Sequence, residues 1–144
     1  MIIGIIIILY MAAINMRRKS FQRQLIMDAL KVLDHPTAQE VYTEISKSYP
    51  RMSLGTIYRN LHQMSEDGVL WRLDFLGSPD RFDIHLEPHQ HIHCTRCVGY
   101  FDINEASLGD IDRSVEQATG FAVKGHHMLF NGICPACRDD HNIT

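Results

Sequence analysis

The chain has 144 residues, 45% of them hydrophobic, with a formal charge of −3. That is enough for one modest domain or two small ones whose cores alone are marginal. The balance excludes blanket affinity for polyanions, but it is uneven: ten of fourteen Lys and Arg and nine of seventeen acids precede residue 86, leaving +1 there and −4 beyond. A polyanionic partner should therefore meet the first half.

Residues 1–15, in MIIGIIIILYMAAIN, are almost wholly apolar. A secretory signal would carry its positive charge before such a run, whereas Arg17, Arg18 and Lys19 follow it, and a membrane span needs about 20 apolar residues. The sequence favours a start codon assigned in error too far upstream, with translation beginning at Met11 or Met16, over a helix docked on the body or a short anchor. No membrane partner is expected, and the location expected is cytoplasmic.

Ser20 is placed to cap a first helix, Phe21 to Leu33, whose apolar residues recur with helical period before His35 and Pro36. Thr37 with Glu40 forms a capping box for a second helix, in which Ala38, Val41 and Ile45 share a face. Ser53 caps a third, Leu54 to Glu66, that Gly68 stops. Residues 69–75 and 81–86 alternate around the turn GSPD, which predicts a hairpin. Three helices followed by a hairpin predict a winged helix over 16–86. EPHQ (87–90) reads as a hinge, and 91–144 as a small α+β domain. Its strands are expected at HIHC, YFDI and FAVKGHHMLF, with a helix from Leu108 to Ala118 ended by Gly120.

Cys94 and Cys97, with Cys134 and Cys137, make two CxxC knuckles, each offering two thiolates to a tetrahedral metal. Structural Zn2+ is expected, holding the C-terminal tail to the sheet; two disulfides or a thioredoxin-like motif fit the context less well. A site closed by four thiolates is not catalytic. Nitrogen and oxygen donors remain at His35, His85, His89, His91, His93, His126 and His127, with Asp83, Glu87 and Asp102. In an extended strand His89 faces with His91, and His91 with His93, so spacing does not choose between the pairs. His62 and His141 read as ordinary surface histidines. A mixed nitrogen and carboxylate set suits Fe2+, Mn2+ or Zn2+.

The stretches HPTAQEVY, MSLGTIYRNL, RFD, HQH, CTRC, FDI, TGFAVKGHH and GICPAC, in that order, resemble the ferric uptake regulator family of metal-dependent bacterial repressors. Both aspartates, where iron-sensing members usually have glutamate, make it most like the peroxide-sensing branch. The resemblance implies a regulatory site of His35, Asp83, His89, His91 and Asp102 for Fe2+ or Mn2+, with His35 and His89 as oxidation targets. It implies that 91–144 is a dimerisation and zinc-binding domain, and that the homodimer binds a palindromic double-stranded DNA operator, read by Ser53, Thr56, Tyr58, Arg59 and Asn60, with Arg23 on the backbone. The family's further metal site is expected to be absent, because Pro88 and Gln90 stand at two of its positions. An iron- or zinc-availability sensor of the same family is the alternative. A hydrolase is disfavoured because no nucleophile or base stands apart from the ligands.

Overall fold

Periodic apolar residues organise the first part of the chain. The computed structural model describes residues 2–74 and 77–139, which divide into two units, Met1–Leu86 and Glu87–Thr144. In the first, α1 (Ile2–Val32), α2 (Ala38–Ser46) and α3 (Leu54–Glu66) are followed by antiparallel strands β1 (Trp71–Leu73) and β2 (Arg81–Asp83). Ile26, Ala29 and Leu30 from α1, Val41 and Ile45 from α2, and Ile57, Leu61 and Met64 from α3 bury together with Leu70 and Phe82. These are the i, i+3, i+4 positions of each helix, so the three stripes meet in one core.

Both local caps form as the sequence predicts. The Thr37 hydroxyl accepts from the Glu40 amide while the Glu40 carboxylate accepts from the Thr37 amide, and the Ser53 hydroxyl accepts from the Thr56 amide. The first helix differs: α1 runs unbroken from Ile2, so Ser20 lies inside it and caps nothing. An apolar segment without Gly or Pro next to the cap position carries the helix through it. Residues 3–20 are all exposed, which rules out docking on the described residues. No described helix is long and apolar enough to cross a membrane. Strand β1 is also shorter than the alternation suggested, and Phe75 of the expected strand lies outside the described residues.

In the second unit, β3 (Gln90–Cys94) pairs antiparallel with β4 (Tyr100–Ile103) and parallel with β5 (Leu129–Gly132). A single 3-10 turn at Glu105–Ser107 precedes α4 (Ile111–Thr119), and a short α5 (Pro135–Asp139) carries the last cysteine knuckle. Leu108 thus ends the 3-10 turn, and Asp110 caps α4 through the Arg113 amide. Gly120 closes α4 at φ 76°, a left-handed position that glycine takes without a Cβ penalty. The expected strand from Phe121 shrinks to β5, since residues 121–128 follow that cap without regular pairing. Gln90 is a buried strand residue rather than part of a loop.

The two units differ in how they are held. The buried apolar cluster belongs entirely to the first, whereas the second buries only Cys94 and Tyr100 among its described apolar residues. Leu61 is fully buried at the centre of the first cluster. Leu61→Ala should cost about 2–5 kcal/mol of unfolding free energy, read from urea denaturation of zinc-loaded protein.

Candidate metal centres and nucleic-acid interface

Strand geometry fixes the thiol cluster. The Cys94 amide donates to the Gly99 carbonyl (2.9 Å) and the Val98 amide to the Cys94 carbonyl (2.9 Å), folding residues 94–99 into a tight knuckle. Val98 sits at φ 61°, a costly conformation for a β-branched residue. A side chain at Gly99 would press on the Phe101 ring at 3.2 Å and on the Cys97 sulfur at 3.4 Å. From the other side, the Thr95 amide donates to the Gly132 carbonyl (2.9 Å), joining the knuckle to the end of β5 and the CPAC turn.

Cys94, Cys97, Cys134 and Cys137 are all reduced, and their sulfurs lie within 4.8 Å of one another. The Cys97 and Cys134 sulfurs are 3.9 Å apart. A tetrahedral zinc thiolate site sets sulfurs about 3.8 Å apart, so the cluster fits that metal. Backbone amides, first that of Cys134 and then that of Cys97, lower the Cys94 thiol to about 6. Cys137 is pushed up to about 12, chiefly by hydrogen bonding to Cys134 and then by burial. The cluster without metal therefore shares protons unevenly, with the first charge settling on Cys94.

In the first unit, His35 is built against β2. The Phe82 amide donates to the Pro36 carbonyl (3.0 Å), and the Arg81 guanidinium donates to the His35 carbonyl (2.8 Å). Arg81 was not singled out from the sequence, and no local pattern marks it. His35 itself is at φ 42°, a strained position for a non-glycine residue. Its Nδ1 lies 2.7 Å from Asp34 Oδ1. A carboxylate must accept there, so Nδ1 donates to Asp34 and the ring turns its Nε2 toward Asp83. That Nε2 lies 3.4 Å from Asp83 Oδ2, with both side chains 3% exposed. Asp83 Oδ1 accepts from the His85 amide at 2.8 Å, leaving Oδ2 on the His35 side.

In the second unit the same logic repeats. His89 Nδ1 donates to the Glu87 carbonyl at 2.7 Å, turning its Nε2 to within 3.1 Å of His91 Nε2. Asp102 Oδ1 is 3.4 Å from the first of these nitrogens and 3.5 Å from the second. His91 and Asp102 are direct cross-strand partners on β3 and β4, which places them on one face. In each unit, imidazole nitrogens and a carboxylate oxygen thus converge within hydrogen-bonding or ligating range. The His and Asp donors in each unit therefore suit a divalent ion of borderline hardness.

The other histidines have different surroundings. His93 stacks on Tyr100 at 4.7 Å between centroids, and its Nδ1 lies 3.3 Å from the Asn131 side-chain oxygen. His126 sits between Asp112 (2.5 Å) and Glu105 (3.4 Å). His85 Nδ1 is 3.1 Å from Asp83 Oδ1. His62 faces Asp80 at 3.4 Å and stacks on Tyr58, while His141 lies outside the described residues. Gln90 accepts the Met128 amide through its side-chain oxygen at 2.6 Å, which fastens the segment before β5.

On α3, Ser53 is engaged as the cap and lies 3.0 Å from the Thr56 hydroxyl. The Asn60 amide donates to the Thr56 carbonyl (2.9 Å) and to Gln22 (3.3 Å). Arg23 pairs with Asp67 at 2.8 Å. These last two side chains tie α1 to the end and middle of α3. Tyr58 and Arg59, with the cap residue Ser53, are the exposed members of the expected DNA set. Tyr58 and Arg59 border an open cleft of about 860 Å³ that Leu54, Arg72 and Asp80 also line.

A model of the ferric uptake regulator family matches residues 15–131. The chain is 34% identical over 122 residues to the peroxide-responsive repressor PerR of Staphylococcus epidermidis, covering 84% of this chain and 81% of that protein. It is 36% identical over 105 residues to the PerR of Staphylococcus aureus, covering 73% and 71%. Among solved structures it resembles the Campylobacter jejuni peroxide stress regulator, with TM-score 0.73 and 31% identity, over 90% of this chain and 98% of that one. The Helicobacter pylori ferric uptake regulator, at TM-score 0.76, 19% identity and 93% coverage of both chains, shares the fold.

Apparent zinc affinity should fall more steeply as pH drops through about 6, where Cys94 begins to hold a proton that zinc must displace. Between that value and the ordinary thiol range Cys94 has none to lose, while Cys137, held up to about 12, releases one throughout. Competition with a chromophoric chelator from pH 8 to pH 5 measures the slope.

Proposed function

The chain belongs to the ferric uptake regulator family, and on that premise we propose that it is a metal-dependent DNA-binding repressor that senses hydrogen peroxide through oxidation of its own histidine ligands. The observation that carries this reading is the donor chemistry: His Nε2 atoms and single Asp carboxylate oxygens turned toward one another, alongside a separate all-sulfur cluster. The relatives named as peroxide-responsive repressors support it.

His35 and Asp83 from the first unit, with His89, His91 and Asp102 from the second, are the proposed ligands of one Fe2+ or Mn2+. Cys94, Cys97, Cys134 and Cys137 are the proposed holders of structural Zn2+. When bound, Fe2+ supplies one-electron reduction of hydrogen peroxide, which delivers an oxidant beside the imidazoles. Each residue's part follows from its surroundings. Asp34 and the Glu87 carbonyl orient His35 and His89 by taking their Nδ1 protons, as outer partners do at metal sites. Asp83 accepts the His85 amide at Oδ1 and would present Oδ2 to the metal. Oxidation of His35 or His89 to 2-oxo-histidine removes a donor, and the protein does not regenerate it. The event is stoichiometric, so the protein is not an enzyme.

A shared ion joins the winged-helix unit 16–86 to the dimerisation unit 91–144 across the linker 87–90, and so selects one arrangement from the population. In a homodimer, that selection sets two α3 helices at the spacing of two half-sites, for which a palindromic operator is the natural match. Exposed Phe101, Val115, Phe121 and Phe130 give the second unit an apolar surface suited to a second copy. Tyr58 and Arg59 are the proposed operator contacts, with Thr56 and Ser53 close by. Arg17, Arg18, Lys19 and Arg23 add backbone attraction, although Arg23 is shared with Asp67. The proposed location is the cytoplasm, where thiols stay reduced.

Fe2+-loaded protein given low peroxide without air should gain one oxygen on the His35 or His89 peptides, retain zinc, and lose operator affinity. The Mn2+ form should stay unmodified. Unmodified histidines with iron bound would instead make the protein an iron- or zinc-availability sensor. Arg59→Ala should weaken operator binding on every sequence alike and reduce the slope of log affinity against log salt by about 1, read by fluorescence anisotropy.

A further inference from the structure

Residues 3–16 of α1 take no part in the repressor reading, and Arg17, Arg18 and Lys19, the proposed contacts to the operator backbone, are equally suited to another polyanion. Every residue from 3 to 20 is exposed, including Ile3 at 75%, Ile8 at 68% and Tyr10 at 68%. Ile5, Ile6, Ile7 and Ile8 are consecutive, and at about 100° per residue they cover the whole circumference of the helix. A second copy packed alongside would bury one stripe of such a helix and leave the rest in water. Lipid covers every side at once. No Asp, Glu, Lys or Arg occurs before residue 17, where Arg17, Arg18 and Lys19 follow in succession. A basic cluster directly abutting an apolar helix matches the two layers of an anionic membrane surface, with acyl chains below and phosphate headgroups above.

We propose that residues 3–19 of α1 form a docking element for an anionic phospholipid surface, with the apolar turns entering the acyl layer and Arg17, Arg18 and Lys19 meeting headgroup phosphates. The apolar turns, residues 2–15, are about 21 Å long against a hydrocarbon core of about 30 Å, so the helix enters obliquely from one face and does not span. Further along, Ile26, Ala29 and Leu30 of the same helix are buried in the core of the first unit. The docking element is thus a rigid continuation of the winged-helix core and would hold that unit at the membrane surface.

Flotation of the full zinc-loaded chain with phosphatidylglycerol-containing vesicles, against phosphatidylcholine vesicles alone, tests the assignment. The chain should float with the anionic vesicles. Replacing Arg17, Arg18 and Lys19 by Gln should lower partitioning on the order of 100-fold while circular dichroism shows the helices intact. Ile6→Glu with Ile7→Glu should abolish flotation and leave operator binding unchanged, which separates this result from any failure of the repressor reading. A full chain that stays in the aqueous fraction overturns the proposal. So does concentration-dependent self-association, removed by the same isoleucine changes, without vesicle binding. A native N-terminal peptide starting at Met11 or Met16 overturns it as well.

Discussion

The hydrogen-bond ladder that holds β3 between β4 and β5 is the constraint on which both donor sets of the second unit depend. It pairs His91 with Asp102 on one side and Cys94 with Gly132 on the other. Alternation sends His91 and His93 to one face, and Gln90, Ile92 and Cys94 to the opposite one. Five consecutive residues therefore feed two different kinds of chemistry without mixing them. A slip of one residue would exchange the faces, turning the sulfur toward the carboxylate and the imidazole toward the thiols. The buried Gln90 guards against that slip by receiving the Met128 amide, and the thiol cluster pins the other end of the same strand. A unit with so little buried apolar surface takes its register from such polar and metal-ready contacts.

The winged-helix unit solves a similar problem by other means. Its apolar core fixes β2, and β2 in turn grips the chain just after α1 through the Phe82 amide and the Arg81 guanidinium. That grip holds His35 at a backbone angle it would not choose. The strain persists because the surrounding core over-determines it. The result brings the His35 ring against Asp83, a pair buried far more deeply than Asp102, whose side chain is 41% exposed. Under the proposed reading, one carboxylate belongs to the scaffold and the other faces the route by which peroxide arrives.

Features whose cause is local were legible in the sequence. The caps at Thr37 and Ser53 depend on residues three apart, and the knuckles at Cys94 and Cys134 on a spacing of three. The sulfur cluster was therefore readable before any strand was placed. The nitrogen donors were not: alternation left His89 with His91, or His91 with His93, equally open. Stacking on Tyr100, its cross-strand partner on β4, is what draws His93 elsewhere. Only the family resemblance had separated them. Ser20 misled because a good cap residue stops a helix only when the chain before it leaves the helical conformation. Residues 121–128 misled because alternating apolar residues count as a strand only when an edge receives them, and β3 offers room from Leu129 onward. Arg23 and Asn60, read as operator contacts, are polar residues facing other polar residues across helices, a relation no linear pattern records.

The separation of sulfur from nitrogen and oxygen donors also bears on which residue an oxidant should reach first. Thiolates are better nucleophiles toward peroxide than imidazoles, so a peroxide sensor built on histidine needs its cysteines withdrawn. Four sulfurs engaged by one closed-shell ion lose that reactivity, and Cys94, the thiol most ready to ionise, is also almost completely buried. Speed must then come from the metal beside the histidines, and from donors that leave it coordinatively open. Under the proposed reading Asp83 would contribute here by geometry: with Oδ1 accepting the His85 amide, Oδ2 is the oxygen better placed to meet an ion. The longer glutamate would reach past that amide and could offer both oxygens, filling a position that peroxide requires. Under that reading, the length of one side chain, set against one backbone hydrogen bond, would help to separate a site that binds metal from one that also reacts.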